Sequence, residues 1–404
     1  MTENAESDRS GQLAIVGGGV VGLCCAWRAA RAGWAVRVVD PAPGSGSSWV
    51  AGGMLAPVTE AWPGEEELLA LGAESLRRWP EFASALTIDA DRPAGLRTEG
   101  TLVVAASAGD RDELDDLATY LAKLDRDVDR LTARQLRALE PAIGADVRGG
   151  LSVPGDLAVD NRRLLAALRA AAERAGVRFV EARAAEVRPG VVELAPGGPA
   201  ARGPAGGGAA GGTVVAAGAL VEADVVLIAA GAHSSTLHAA LDGLIRPVKG
   251  EILRLRHRRG ALPPPTRTVR AVVDGRPVYA VPRDAGGLVV GATQYEVGFD
   301  TEPTVGGVRD LLRDVERVLP GVAEYALVEA SAGLRPGTPD NVPLLGELEP
   351  GLLVASGHGR NGMLLAPLTA DTVLALLNGE PVPGAAAVAD PGRLVRVPGT
   401  TVRR

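Results

Sequence analysis

Six residues near the start of the chain, Gly17-Gly18-Gly19-Val20-Val21-Gly22, constrain its architecture more than any other feature. They follow a short apolar run of strand character, Leu13–Val16. They open a segment, Val20–Arg31, in which Val21, Cys24, Cys25 and Ala29 recur at helical spacing, and Gly33 stops it. Trp34–Val39 is the next strand and ends in Asp40. The order strand, Gly-rich turn, helix, strand is a βαβ unit of about 30 residues. Gly17 permits the tight turn, Gly19 removes a side chain where backbone approaches a pyrophosphate, and Gly22 lets the helix pack on the strand. The helix start, Val20 and Val21 included, then presents free N–H groups to an anion. Asp40 stands 18 residues past Gly22, where an acid hydrogen-bonds adenosine ribose hydroxyls. That acid favours NAD or FAD over NADP.

The rest of the 404 residues separates those two cofactors. Ala223–Ala230 is, apart from Asp224, a continuous apolar run, the pattern of a buried parallel strand, and it ends at Gly231. A second Gly-rich turn, Gly357–Gly362, stands between a strand, Leu352–Ala355, and a last helix, Leu364–Leu377. A first motif so near the N-terminus with such distant companions suits a two-part FAD domain better than a dehydrogenase. Helices are expected at Glu65–Ala85, Gly109–Leu124, Asp160–Ala175 and Val308–Val318, with a capping box at Thr132–Gln135. Strands are expected at Thr98–Ala106, Val177–Val180 and Pro247–Leu255. A hairpin joins Val278–Pro282 to Gly287–Gly291. The expected class is α/β: a Rossmann-like FAD-binding domain from 11–60, 150–245 and 330–380, with a discontinuous α+β substrate domain on an antiparallel sheet from 61–149 and 246–329.

Composition excludes several classes. The net charge is −7 and no Lys/Arg run dominates a segment, which argues against nucleic-acid binding. Cys24 and Cys25 are adjacent, a strained arrangement for a disulfide, and fit a reducing cytoplasm as buried apolar residues. Residues 1–10 are polar, unlike a secretion signal, and Glu222 and Asp224 interrupt the most apolar stretch, so no membrane span is expected. The four histidines lack metal-ligand spacing, so no metal is expected. The 53 glycines fall into two populations: a Gly/Ala/Pro-rich stretch, 196–212, reads as a flexible hairpin insertion, while a few others stand where a cofactor meets backbone.

Five segments then carry a resemblance over nearly the whole chain: LAIVGGGVVG (13–22), SSWVAGGML (47–55), VYAVPRDAGGLVVGAT (278–293), AGLRPGTPDNVPLLG (332–346) and GHGRNGMLLAP (357–367). Together they resemble the D-amino-acid oxidase family of flavoproteins, and within it the glycine-oxidising members of thiamine synthesis. The resemblance implies non-covalent FAD; the covalent branch uses a late cysteine, and none follows Cys25. It implies that Ser47, Ser48, Gly52 and Gly53 contact the pyrophosphate and flavin, with Met54 on the substrate side. Ala185 falls where the family contacts adenine through backbone. Arg335 matches the arginine that grips the substrate carboxylate, and Tyr279 a tyrosine whose hydroxyl reaches the same group. His358, Gly359, Arg360, Asn361, Gly362, Met363 and Leu364 match a second flavin-contacting turn, in which Arg360 serves the substrate or the flavin. Gly359 stands where relatives often carry an aromatic, Pro277 where some carry histidine, and Gln294 where some carry methionine. The last two departures bear on amine preference.

The implied reaction is oxidative deamination of glycine, with sarcosine or small D-amino acids as further substrates. A hydride passes to flavin, O2 becomes H2O2, and glyoxylate or its imine leaves with ammonia and feeds thiazole synthesis. The alternative is a D-amino-acid oxidase or dehydrogenase of other specificity. A small amino acid and O2 are the expected partners, and a cytoplasmic homo-oligomer the expected form.

Overall fold

The computed structural model describes residues 11–126, 128–197 and 218–395. The Gly17–Gly22 turn connects the strand Gln12–Val16 to the helix Val20–Arg31 and on to the strand Ala35–Val39. These strands lie at the centre of a six-stranded sheet. Its order is 344–349, 352–356, 225–228, 12–16, 35–39, 178–180. Every pairing is parallel except that of the two outermost strands at the C-terminal edge. Val226–Ile228 of the strand Val225–Ile228 are buried, on both faces, as a continuous apolar strand requires. Cys24 and Cys25 are buried free thiols within the first helix.

Helices cover one face of this sheet. Val20–Arg31 packs against the C-terminal helix Gly362–Asn378, and Glu66–Ala90 and Asn161–Arg174 pack beside them. Three of the few aromatics form the joint: Trp27 and Trp79 each meet Phe82 edge-on at 5.3 Å between centroids. The opposite face is covered by a small antiparallel sheet, 184–188, 191–194 and 220–222. Of the expected insertion 196–212, residues 198 onward lie outside the described residues.

An eight-stranded sheet forms the second layer, in the order 326–337, 246–256, 287–291, 276–282, 268–273, 101–105, 149–153, 129–132. All its pairings are antiparallel except 268–273 with 101–105. The helix Val305–Val318 packs Leu311, Val315 and Val318 onto it. The expected α/β class, with a parallel nucleotide-type sheet and an antiparallel second sheet, is the observed one.

Two expected boundaries shift. The helix expected at 65–85 runs Glu66–Ala90 and ends at Asp91 in a left-handed conformation, φ 54°. Its Leu68, Leu71, Trp79, Phe82 and Leu86 enter the core of the six-stranded layer, so 61–149 does not belong wholly to the second layer. Conversely, Gly149–Val153 and the whole of Ala326–Gly337 pair into the eight-stranded sheet, although 150–245 and 330–380 were expected in the first. Periodicity shows that a helix has an apolar face; it does not show which sheet receives it.

Candidate active site

An elongated cleft of about 740 Å³ lies between the two layers, within the range of small-molecule sites. At one end the fingerprint turn meets Asp40. Gly17 has φ 111°, and its N–H donates to the Val39 carbonyl at 2.9 Å. A Cβ on Gly17 would meet Ala230 Cα at 2.8 Å, and one on Gly22 would collide with the Gly17 carbonyl. Asp40 accepts the Gly18 and Ala42 N–H groups, each at 2.7 Å, so it first organises the turn. Burial pushes its carboxyl up, opposed by these bonds and by Arg183 and His233. Each oxygen keeps a second lone pair for a ligand hydroxyl. Ala185 does not line the cleft, whereas its neighbours Arg183 and Ala184 do.

Two helices start at this cleft, Val20–Arg31 and Gly362–Asn378. Neither has an acidic residue in its first turn, so the positive ends of both dipoles favour an anion. Val20, Val21, Gly231, Gly362 and Met363 line the cleft; Gly22, Asn361 and Leu364 do not. The Leu364 carbonyl instead accepts from Ser75 Oγ at 2.7 Å and Trp79 Nε1 at 2.9 Å. Ser47 and Ser48, expected to face the cofactor, also close the protein on itself. Ser48 Oγ accepts the Val20 N–H at 3.0 Å. Ser47 Oγ donates to the Leu334 carbonyl at 2.7 Å and accepts the Leu334 N–H at 3.0 Å, locking this loop to the strand that carries Arg335.

At the other end Tyr279 and Arg335 come together. Their seats are made by absent side chains. A Cβ on Gly52 would lie 2.7 Å from the Tyr279 hydroxyl, one on Gly291 2.5 Å from it, and one on Gly250 within the Arg335 guanidinium. Gly53 is required for another reason: it has φ 76°, and a Cβ there would strike the Val159 carbonyl. Arg335 Nη1 donates to the Thr293 carbonyl at 3.1 Å. Among the described residues no carboxylate pairs with Arg335. Burial pushes the Tyr279 hydroxyl pKa up, and Arg335 draws it back. Met54 lines the cleft, with its sulfur 3.8 Å from Arg270 Nη1.

The third wall settles the partners of Arg360. It donates to the Glu60 carbonyl at 3.1 Å and pairs with Glu65 at 2.7 Å. Glu60 in turn pairs with Arg270 at 2.7 Å. These charges cancel, whereas Arg335 and, beside Asp40, Arg183 have no carboxylate within 4.0 Å among the described residues. His358 is buried against Thr369, while Gly359 adopts φ 54°. Pro277, Thr293 and Gln294 also line the cleft. Sequence reading missed Gly250, Gly291, Glu60, Arg270 and Thr293. The signal for Gly291 lay inside the segment 278–293, but nothing local shows that Gly250 sits under an arginine from another strand.

The family model described as FAD dependent oxidoreductase matches residues 12–376. A glycine oxidase from Geobacillus kaustophilus is 31% identical over 88% of this chain and 90% of its own. A bifunctional protein ThiO/ThiG from Nostoc sp. is 31% identical over 90% of this chain; the chain spans about half, 52%, of that relative. The crystal structure of glycine oxidase from Geobacillus kaustophilus superposes with a TM-score of 0.80 at 30% identity, covering 96% of this chain and 99% of that one.

Proposed function

The chain belongs to the FAD dependent oxidoreductase family, and from that premise we propose that it oxidises glycine to glyoxylate and ammonia, reducing O2 to H2O2. Overall, glycine, O2 and water give glyoxylate, ammonia and H2O2. FAD is its cofactor, and the cleft suits it: two anion-favouring helix starts, an acid at the ribose position, and a backbone loop with no side chains at Gly52 and Gly53. In this reading Gly17, Gly19, Val20, Val21, Asp40, Gly231, Gly362 and Met363 hold the nucleotide and flavin. Bound FAD supplies a two-electron acceptor.

The observation that carries the substrate reading is Arg335 beside Tyr279, a guanidinium whose one hydrogen-bond partner among the described residues is the Thr293 carbonyl. That bond fixes the plane of the fork and leaves other N–H donors for a carboxylate. The Tyr279 hydroxyl adds a donor from the side. The cancelled charges of Glu60, Glu65, Arg270 and Arg360 offer no seat for a second carboxylate, which favours glycine and small neutral relatives. Glu60 is paired with Arg270, His358 is held by Thr369, and His233 lies by Asp40 and Arg183 at the nucleotide end, so the amine enters neutral or loses its proton to water. The protein's work is orientation and exclusion of solvent.

The proposal extends to a cytoplasmic homo-oligomer whose product supplies thiazole synthesis. No helix among the described residues is long and apolar enough to cross a membrane. Peroxide release from the purified yellow protein tests it, measured with glycine, sarcosine, D-alanine and D-proline. Glycine is expected to give peroxide; none with any of the four sinks the oxidase reading.

A further inference from the structure

Behind the loop Ser48–Gly53, on the side away from the cleft, four polar side chains from three elements converge on its carbonyl groups. None of the four lines the cleft. Asn161, wholly buried, donates from Nδ2 to the Ser48 carbonyl at 2.9 Å and the Trp49 carbonyl at 2.8 Å. Its Oδ1 accepts from Arg254 Nη2 at 3.2 Å and Arg283 Nη2 at 3.4 Å. Arg254 also donates to the Trp49 carbonyl at 3.2 Å, and Arg283 to the Gly52 carbonyl at 2.6 Å. Arg162 lies over the Trp49 ring at 4.1 Å and pairs with both oxygens of Glu329, at 2.7 and 2.8 Å.

Two consequences follow from elementary geometry and charge. In a trans peptide the C=O and the next N–H point in opposite directions. Drawing back the carbonyls of Trp49 and Gly52 therefore turns the N–H groups of Val50 and Gly53 away from the arginines, and both residues line the cleft. The charges also do not cancel. Glu329 offsets Arg162, and Asp160 stands 3.8 Å from Arg283. Arg254 has no carboxylate within 4.0 Å among the described residues. The Nε atoms of Arg254 and Arg283 are buried without a hydrogen-bond partner among the described residues. Burial pushes both guanidiniums down to about 10, which still leaves them charged at neutral pH.

We propose that Asn161, Arg254 and Arg283 are positioning residues that aim the peptide dipoles of the Ser48–Gly53 loop at the flavin ring, and that their excess positive charge stabilises negative charge placed on that ring. The inference rests on FAD occupying the cleft. It assigns a role to residues that touch neither substrate nor cofactor.

Sulfite is a suitable probe, because it binds an electron-poor flavin and leaves negative charge on the ring, without turnover. Its affinity is read from the absorbance of the yellow protein. Arg254→Met should weaken sulfite binding at least tenfold. The same tenfold shift between oxidised and reduced flavin is a midpoint potential lowered by about 30 mV. Arg254→Lys should restore most of the affinity. Glu329→Gln removes a counter-charge at nearly constant shape and should act in the opposite sense, tightening sulfite binding and raising the potential. A role confined to holding the loop would weaken FAD retention in each variant but could not produce opposite signs. Unchanged or weaker sulfite binding in Glu329→Gln overturns the inference, including where Arg254→Met does not fold. A wild-type protein that purifies without flavin overturns the cofactor premise instead.

Discussion

His358 stands at the start of the C-terminal helix, 2% exposed, with its Nε2 3.0 Å from the Thr369 hydroxyl. Burial pushes its pKa down to about 4, against about 6.5 in an unfolded chain. The unfolded chain therefore binds the proton first, and stability falls as pH drops from about 6.5 towards 4. Gln in its place can keep the Thr369 contact without titrating. The stability advantage of wild type over His358→Gln should be about 2 kcal/mol smaller at pH 5 than at pH 7. Urea unfolding at the two pH values measures it, and an advantage independent of pH contradicts the buried neutral imidazole. Asp156 is shifted the other way: it is buried against Thr59 and pushed up to about 7, so the comparison must be variant against wild type. At this scale the sequence was legible where backbone geometry demands a residue, as at Gly17 and Gly22. At Gly52 it showed that a side chain is excluded, but not that Tyr279 packs there. A glycine pattern records that a Cβ is forbidden without recording what forbids it.

The segment from Thr293 to Thr304 is the element whose anchorage periodicity could not reveal. Thr293, Gln294 and Thr301 wall the cleft, and Phe299 stacks on His233 of the opposite layer at 4.8 Å. Its foot is Lys249, 1% exposed, which pairs with Asp300 at 2.5 Å and also donates to the Glu302 carbonyl. Glu251, also buried, lies 3.8 Å from the Lys249 ammonium and accepts the Thr304 N–H at 2.7 Å. Lys249→Met leaves Glu251 as a buried charge without its cation and should cost about 3 kcal/mol. Adding Glu251→Gln should recover part of that loss. A urea double-mutant cycle reads both; a cost below about 1 kcal/mol for the single variant rules out a load on this pair. The Pro247–Leu255 strand was visible as weak alternation. That Lys249 and Glu251 point inward was not, because charged residues on a strand ordinarily mark its solvent face.

The molecule as a whole sets a parallel layer that carries the nucleotide signature against an antiparallel layer that carries Arg335 and Tyr279. The first was legible because one local unit, 12–40, contains strand, turn, helix and acid together. The second depends on register between distant strands: Gly250 faces Gly333, and Tyr279 faces Gly291. Register is settled by tertiary packing, so no window of sequence contains it. The resemblance named Arg335 and Tyr279; only the fold shows the glycine seats that bring them together. The central claim is that Arg335 holds the carboxylate of an amino acid whose electrons the bound cofactor takes. Anaerobic mixing of the yellow protein with glycine tests it directly, for wild type and Arg335→Leu side by side. Wild type should bleach, while Arg335→Leu keeps its FAD and bleaches at least about 100-fold more slowly at the same low glycine concentration, the loss expected for one partner of a desolvated charge pair. A wild type that stays yellow with glycine, or an Arg335→Leu variant that bleaches at the wild-type rate, contradicts it.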